Sequence, residues 1–126
     1  MLTDKEIEDA KSSVIYSTPT DVLHEHPDCI RMAYEWLDAQ KKTKSPNKRT
    51  TRPIKHIIEN WAGRYVSQSD VEVAALLHPD IEGKYPHFNI SSRLTRPSDD
   101  RLQGISEAKS QSYGDRYKDA YKEEEA

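Results

Sequence analysis

The chain has 126 residues, of which 34% are hydrophobic and 33% are charged, and its formal net charge is −3. This length fits a single domain, and the high polarity predicts that part of the chain lies outside a packed core. No apolar run approaches the roughly 18 residues needed to cross a bilayer, and the first residues lack the basic-then-apolar order of a signal peptide. A single cysteine, Cys29, excludes an internal disulfide framework. We therefore expect a soluble, cytoplasmic protein that does not act on membranes.

The charges are segregated along the chain. Residues 1–40 carry 3 Lys and Arg against 9 Asp and Glu, whereas residues 41–66 carry 8 against 1. A basic segment of this kind on an acidic protein predicts a local surface that contacts a negatively charged partner. The alternative is that the basic segment lies against the acidic N-terminal region of the same chain.

Local signals predict four helices in chain order. Thr3 and Glu6 form a capping-box pattern that begins a helix over about residues 4–14. Pro27 begins the second helix, which continues to about residue 42. The third helix runs from Pro53 to Gly63, and the fourth follows Ser67 and ends before residue 79. Between the second and third helices, "KKTKSPNKRTTRP" has no periodicity and predicts an exposed, mobile basic loop.

The stretch "NISSRLTRP" predicts a short fifth helix. Asn89 serves as its N-cap, Ile90 and Leu94 lie four residues apart and hold one side against the core, and Pro97 ends it. The remaining side chains of this helix then face outward and are polar or basic.

The fourth and fifth predicted helices resemble the helix-turn-helix superfamily of DNA-binding proteins, including its winged variants. "SDVEVAALL" matches the first helix of that motif, with Ala74 or Ala75 at the crossing point, and "NISSRLTR" matches the recognition helix, within residues 53–97. The segment 78–88 is longer than the usual turn of three or four residues. The resemblance implies a small all-α domain of about five helices, in which "GRYV" and "GKYPHF" form at most a minimal two-stranded wing.

The same resemblance implies a sequence-specific DNA-binding regulator, of a size common among phages and mobile elements. Its recognition helix would enter the major groove of duplex DNA. The residues expected there are Asn89, Ser91, Ser92, Arg93, Thr95 and Arg96. Basic side chains before and within the third helix would contact phosphates. These are Lys48, Arg49, Arg52 and Lys55.

The polar C-terminal segment supplies a second hypothesis. We expect a helical domain over residues 2–105 and a tail over residues 106–126 that is flexible or becomes ordered on a partner. Tyr113, Tyr117 and Tyr121 recur every four residues, so a helix from Asp115 onward would present an aromatic stripe for a partner. The alternative function is therefore a non-catalytic protein-binding module, such as a phage or host-defence inhibitor, that acts through this stripe or through the acidic surface. A homodimer formed through the tail or through the N-terminal helix is a further possibility.

No motif in the chain predicts catalysis. A phosphate-binding glycine loop, a nucleophile elbow and an HExxH motif are all missing from the sequence, so we expect neither an enzyme nor a cofactor. "HEHPDC" places His24, His26 and Cys29 close together, but the other histidines are isolated and no second cysteine completes a ligand set. We therefore predict no metal site.

Overall fold

The computed structural model describes residues 1–49, 51–114 and 116–126. Within these residues the chain forms four α-helices, which are α1 (Asp4–Lys11), α2 (Pro27–Ala39), α3 (Ile54–Ala62) and α4 (Gln68–Leu77). Two small sheets accompany them. Strands β1 (Gly83–Lys84) and β2 (His87–Phe88) pair antiparallel, and strands β3 (Leu94–Arg96) and β4 (Tyr121–Glu124) pair parallel. None of the described helices is long and apolar enough to cross a membrane.

The predicted helix boundaries are confirmed where local capping determines them. The Thr3 hydroxyl accepts a hydrogen bond from the Glu6 N–H, and the Glu6 carboxylate accepts one from the Thr3 N–H, which is the predicted capping box. Ser67 and Asp70 form the same reciprocal pair at the start of α4. Gly63 ends α3 in the left-handed conformation, with a φ of 66°. A side chain there would be strained in backbone conformation and would also approach the backbone of residue 109.

The core lies between α2 and α4, with α1 and α3 packed around them. Trp36 and Leu37 of α2 are fully buried, as are Val71 and Ala74 of α4. The prediction that a fifth helix crosses α4 at Ala74 or Ala75 is wrong, because α4 packs against α2 and residues 89–96 form no helix. The indole N–H of Trp36 donates to the Tyr121 hydroxyl at 2.9 Å, which joins the C-terminal strand to this core.

The prediction of an all-α fold with a fifth helix over "NISSRLTR" is wrong. Asn89 follows β2 directly, and its amide group joins three backbone segments instead of capping a helix. Its Oδ1 accepts from the Glu82 N–H at 2.6 Å, and its Nδ2 donates to the carbonyls of Asp80 and Thr43. These bonds hold the chain extended at residue 89. A helix of this length is marginal, because few backbone hydrogen bonds would offset the cost of beginning it.

Two distant parts of the chain stabilise the extended strand that replaces this helix. On one side, the Gln40 side chain behaves like a neighbouring strand. It accepts from the Thr95 N–H at 2.9 Å and donates to the Thr95 carbonyl at 2.8 Å. On the other side, β4 arrives from the C-terminus and pairs with β3. Ile90 and Leu94 are still buried, so the apolar pattern correctly identified core residues but assigned the wrong local structure.

The predicted wing also differs from the observed sheet. Residues of "GKYPHF" form the β1–β2 hairpin by themselves, and "GRYV" contributes no strand to it. The hairpin is too short to extend far from the domain.

The C-terminal segment does not form the predicted helix with a tyrosine stripe. Asp115, the predicted start of that helix, lies outside the described residues. Further on, residues 118–120 form one 3-10 turn, and residues 121–124 form β4. The ring of Tyr117 lies nearly parallel to that of His56, with 6.5 Å between their centroids, whereas Tyr121 packs beside Trp36. Tyr113 is half-buried near α3. The three tyrosines therefore do not share one exposed face.

Replacing Gln40 by leucine is expected to lower the free energy of unfolding by about 2 kcal/mol. Leucine fills a similar volume but leaves the buried N–H and carbonyl of Thr95 without these partners. Urea unfolding followed by circular dichroism measures the decrease. A Gln40→Glu variant retains an acceptor for the Thr95 N–H but not the donor for its carbonyl. A Gln40→Leu variant as stable as the wild type would show that the side-chain bridge to β3 contributes nothing.

Candidate functional site

Two segments that are far apart in sequence lie side by side on the surface. The backbone of residues 41–47 bonds to that of residues 88–91 in three places. Thr43 N–H donates to the Asn89 carbonyl at 2.8 Å, Asn47 N–H to the Phe88 carbonyl at 3.2 Å, and Ser91 N–H to the Lys41 carbonyl at 2.8 Å. The guanidinium of Arg52 also donates to the Ser92 carbonyl at 2.6 Å. We call residues 41–49, 51–52 and 83–93 together the basic face. The segment predicted to be a mobile loop is thus tied to the β1–β2 hairpin.

The basic face concentrates cations, and its own two segments supply no carboxylate. Its two segments contain eight Lys and Arg and no Asp or Glu. Several of these cations form no ion pair with any described carboxylate. They are Lys44, Lys48, Arg49, Arg52, Lys84 and Arg93. Glu123 lies close enough to Arg93 for their charges to interact, but its carboxylate is already paired with Lys41 at 2.7 Å. The face therefore carries a local positive potential on a protein that is acidic overall.

Cations elsewhere are mostly neutralised within the fold. Arg64 is buried and pairs with Glu25 at 2.7 Å and with Glu107 at 2.9 Å. Arg101 pairs with Asp38, among other carboxylates, at 2.9 Å. The alternative that the basic segment lies against the acidic N-terminal region therefore holds for Arg64 and Glu25. It does not hold for the six unpaired cations of the basic face.

The structure separates the sequence-predicted DNA-binding residues into two groups. Ser92, Arg93, Lys48 and Arg49 are exposed on the basic face. Ser91 and Arg52 also lie there but are half-buried. The side chains of the second group are buried or make their contacts outside the basic face. It consists of Asn89, Thr95, Arg96 and Lys55.

The members of the second group are buried or engaged within the fold. Asn89 and Thr95 are buried. The Asn89 amide bonds to the backbone as described above, whereas the Thr95 hydroxyl is enclosed without a hydrogen-bond partner among the described residues. Arg96 is the last residue of β3 and lies 3.4 Å from the Asp99 carboxylate. The ammonium of Lys55 pairs with the buried Glu59 carboxylate at 2.6 Å and lies 4.8 Å from the centre of the Tyr65 ring. These four side chains are therefore poorly placed to contact a ligand on the basic face.

Two residues of the basic face were missed by the sequence reasoning. Lys44 belongs to the same run of basic residues as Lys48, and the charge count of that run was sufficient to include it. Lys84 is an isolated basic residue in "GKYPHF", and no local pattern relates it to a loop that ends 32 positions earlier. Only the packing of the hairpin beside this loop brings Lys84 to the face.

Lys42 shows why position within the basic run does not by itself create a binding residue. Its ammonium donates to the Asp38 carbonyl at 2.7 Å, and its side chain is half-buried. Burial lowers the pKa of Lys42 below its ordinary value, although the nearby Asp38 and Asp80 carboxylates oppose this effect. Lys42 therefore anchors the end of α2 and is not a free cation of the basic face.

The histidines of "HEHPDC" have structural contacts. His24 Nδ1 lies 2.7 Å from the buried Asp70 carboxylate, and its Nε2 lies 2.9 Å from the Tyr16 hydroxyl. His26 caps α2 by accepting from the Asp28 N–H at 3.0 Å. Burial raises the pKa of the Cys29 thiol to about 12, so the thiol stays protonated at neutral pH. Among the described residues, no three His, Cys, Asp or Glu side chains are grouped as metal ligands.

Comparisons of this chain with protein-family models, with curated proteins and with solved structures found no match.

Proposed function

We propose that this protein binds double-stranded DNA through the basic face, by contacts to the phosphate backbone. The observation that carries the proposal is the group of unpaired cations that two distant segments bring together. Outside this face, most of the described cations have a carboxylate partner, as Lys11, Arg31 and Arg101 do. A cluster that retains its charge is available for an anionic ligand.

The chemistry of the face suits phosphates. Arg49 and Arg93 offer guanidinium groups, which bind phosphate oxygens with two hydrogen bonds at once. Lys44 and Lys48 supply more mobile ammonium groups. The exposed Ser92 hydroxyl is a further donor of the kind that commonly contacts the DNA backbone. The face therefore offers several donors spread over a surface, as a backbone ligand requires.

The same face favours duplex DNA over single strands. Proteins that bind single strands without sequence preference usually stack bases on aromatic side chains. In the described part of the basic face, Phe88 is buried and Tyr85 is half-buried, with its hydroxyl accepting from the Lys55 N–H at 3.2 Å. Neither ring offers an open stacking surface. A regular array of phosphates, as in a duplex, is then the better ligand.

Backbone contact, and not a recognition helix, is the proposed mode of binding. The side chains expected to read bases are divided between the basic face and the interior, and Asn89 and Thr95 therefore have no base-reading role. The protein binds without catalysis. Any sequence preference arises from Arg93 and its serine neighbours or from the shape of the DNA.

The salt dependence of binding tests this proposal. We expect the full chain to bind a fluorescently labelled duplex of about 30 base pairs, with affinity falling linearly on a log–log plot against NaCl concentration. Six phosphate contacts predict a slope of about −5, because each contributes about −0.9. Fluorescence anisotropy between about 25 and 300 mM salt measures this slope. A single strand of the same sequence should bind more weakly.

Two results would overturn the proposal. The first is no binding to duplex DNA at the lowest salt concentration. The second is a slope near −1, which would mean that only one phosphate is contacted and that the face does not act as a unit.

A further inference from the structure

A groove beside the β1–β2 hairpin has a partly apolar lining. The lining also includes Glu72, whose carboxylate pairs with no described cation. The groove lies between residues 13–17, the end of α4 and strand β1, and its volume is about 360 Å³. Ile15, Leu76 and Ile81 supply apolar surface, while Glu72, Glu82 and Lys84 supply charge. A concavity of this size accommodates one or two side chains of another molecule.

Two aliphatic side chains at this groove are unusually exposed. Ile15 is 90% exposed and Leu76 is 49% exposed. In addition, Val22 and Leu23 lie on the surface of the same connector between α1 and α2. Single exposed apolar residues are common, but two that line the same concave surface, as Ile15 and Leu76 do, are typical of a protein-interaction site.

Glu72 gives the groove its selectivity. Only 8% of this residue is exposed, and its carboxylate accepts hydrogen bonds from the Ser17 N–H at 2.8 Å and from Gln68 Nε2 at 3.3 Å. Both donors are neutral, and Glu72 forms no ion pair with any described cation. An occupant that carries a cation would therefore supply the counterion that this carboxylate lacks among the described residues.

We propose that this groove binds a segment of a partner protein that carries an aliphatic side chain next to a lysine or arginine. The aliphatic side chain packs on Ile15 and Leu76, and the cation pairs with Glu72. The charge of the lining supports this choice, since two carboxylates, Glu72 and Glu82, line the groove with a single cation, Lys84. Lys84 belongs to both the groove and the basic face, so the two surfaces adjoin, but the docking proposal does not rest on DNA binding.

A second copy of the chain fits the groove less well. Stable homodimers bury about 800 Å² on each subunit, whereas this groove receives only one or two side chains. Short linear segments of a partner bind in such concavities through a few anchoring side chains.

Short synthetic peptides test the docking site. The probe is a blocked hexapeptide with adjacent leucine and arginine residues between glycines and serines. We expect it to shift the backbone amide signals of residues 13–17 and of the end of α4 in ¹H–¹⁵N spectra of the full chain. Replacing its leucine by asparagine, or its arginine by glutamate, should each weaken binding by about tenfold.

Variants of the protein make the test specific. Glu72→Gln keeps the size of the side chain and should weaken binding of the leucine–arginine peptide about tenfold, but not that of its glutamate counterpart. Glu124→Gln removes an exposed carboxylate on β4 and serves as the matched control. Thermal unfolding of both variants checks that the fold is retained.

Three outcomes would overturn the docking proposal. The first is equal binding of the arginine and glutamate peptides, and the second is amide shifts confined to other parts of the chain. The third is that the groove signals change with protein concentration alone while sedimentation shows a dimer that Ile15→Asn abolishes. In that case a second copy of the chain occupies the groove.

Discussion

Replacing Lys44, Lys48, Arg49 and Arg93 together by glutamine is expected to weaken duplex DNA binding by about a hundredfold at roughly 0.1 M salt. The four side chains come from both segments of the basic face and form no ion pair with described carboxylates. The substitutions remove favourable interactions with phosphates but break no ion pair within the fold. The slope of log affinity against log salt should fall in magnitude by about 3.6, at about 0.9 for each phosphate that is no longer neutralised. Anisotropy titrations of the variant and the wild type measure both changes.

A control variant with the same change in net charge separates a local site from a general charge effect. Four exposed cations of the C-terminal segment also form no ion pair with described carboxylates, and they are Lys109, Arg116, Lys118 and Lys122. Changing them to glutamine should leave the affinity within about threefold of the wild type. If this control weakens binding as much as the first variant, DNA responds to total charge and the basic face is not the binding site.

Local chemistry explains why the four helices were predictable. A capping box such as that of Thr3 and Glu6 joins residues only three positions apart, so the sequence displays both partners together. The same holds for Ser67 with Asp70, and for Gly63 as the residue that ends α3. These interactions do not depend on the rest of the fold, and the structure therefore agrees with the prediction at these ends.

The prediction of a fifth helix failed because distant residues determine the structure of residues 89–96. Asn89 is a good N-cap by type, but its amide bonds to Thr43, which is 46 positions away. Thr95 is bound by Gln40, 55 positions away, and by a strand from the end of the chain. Ile90 and Leu94 lie four residues apart, a spacing that is typical of one face of a helix, yet an extended segment buries both. No local pattern reveals partners at such separations.

The candidate site shows the same division: residues in the basic run could be predicted from the sequence, whereas residues that the fold brings to the face could not. The run of basic residues over 41–52 is visible in the composition, and Lys48, Arg49 and Arg52 remain on the basic face. Arg93 was assigned for a different reason, as part of a recognition helix, and it reaches the face through the packing of the hairpin beside the loop. Lys84 could be assigned to the basic face only once the fold was known.

Deleting residues 121–126 is expected to lower the free energy of unfolding by about 4 kcal/mol. The deletion removes β4 from β3 and exposes part of the surface over Trp36 and Leu94, both of which are fully buried in the complete chain. It also removes the Tyr121 hydroxyl that accepts from the Trp36 indole, and the carboxylates of Glu123 and Glu125. Urea unfolding of the truncated and complete chains measures the difference. A double variant, Lys122→Ala with Glu124→Ala, changes only exposed side chains of the same strand and should be destabilised by less than about 0.5 kcal/mol.

Acid titration of the complete and the truncated chain identifies the electrostatic part of the stabilisation that residues 121–126 provide. Hydrogen bonds from Arg101 outweigh the effect of burial and hold the pKa of Glu125 below its ordinary value of 4.5. A carboxyl group whose pKa is lowered on folding stabilises the fold above that ordinary value, and the contribution disappears as the pH falls through the folded pKa. The stability difference between the complete and truncated chains should therefore narrow below about pH 4. An equal difference at pH 7 and pH 3 would show that the pairing of Glu125 with Arg101 contributes nothing. If the truncated chain were as stable as the complete one at every pH, residues 121–126 would be undocked in solution. That result would agree with the prediction from the sequence that the tail is flexible.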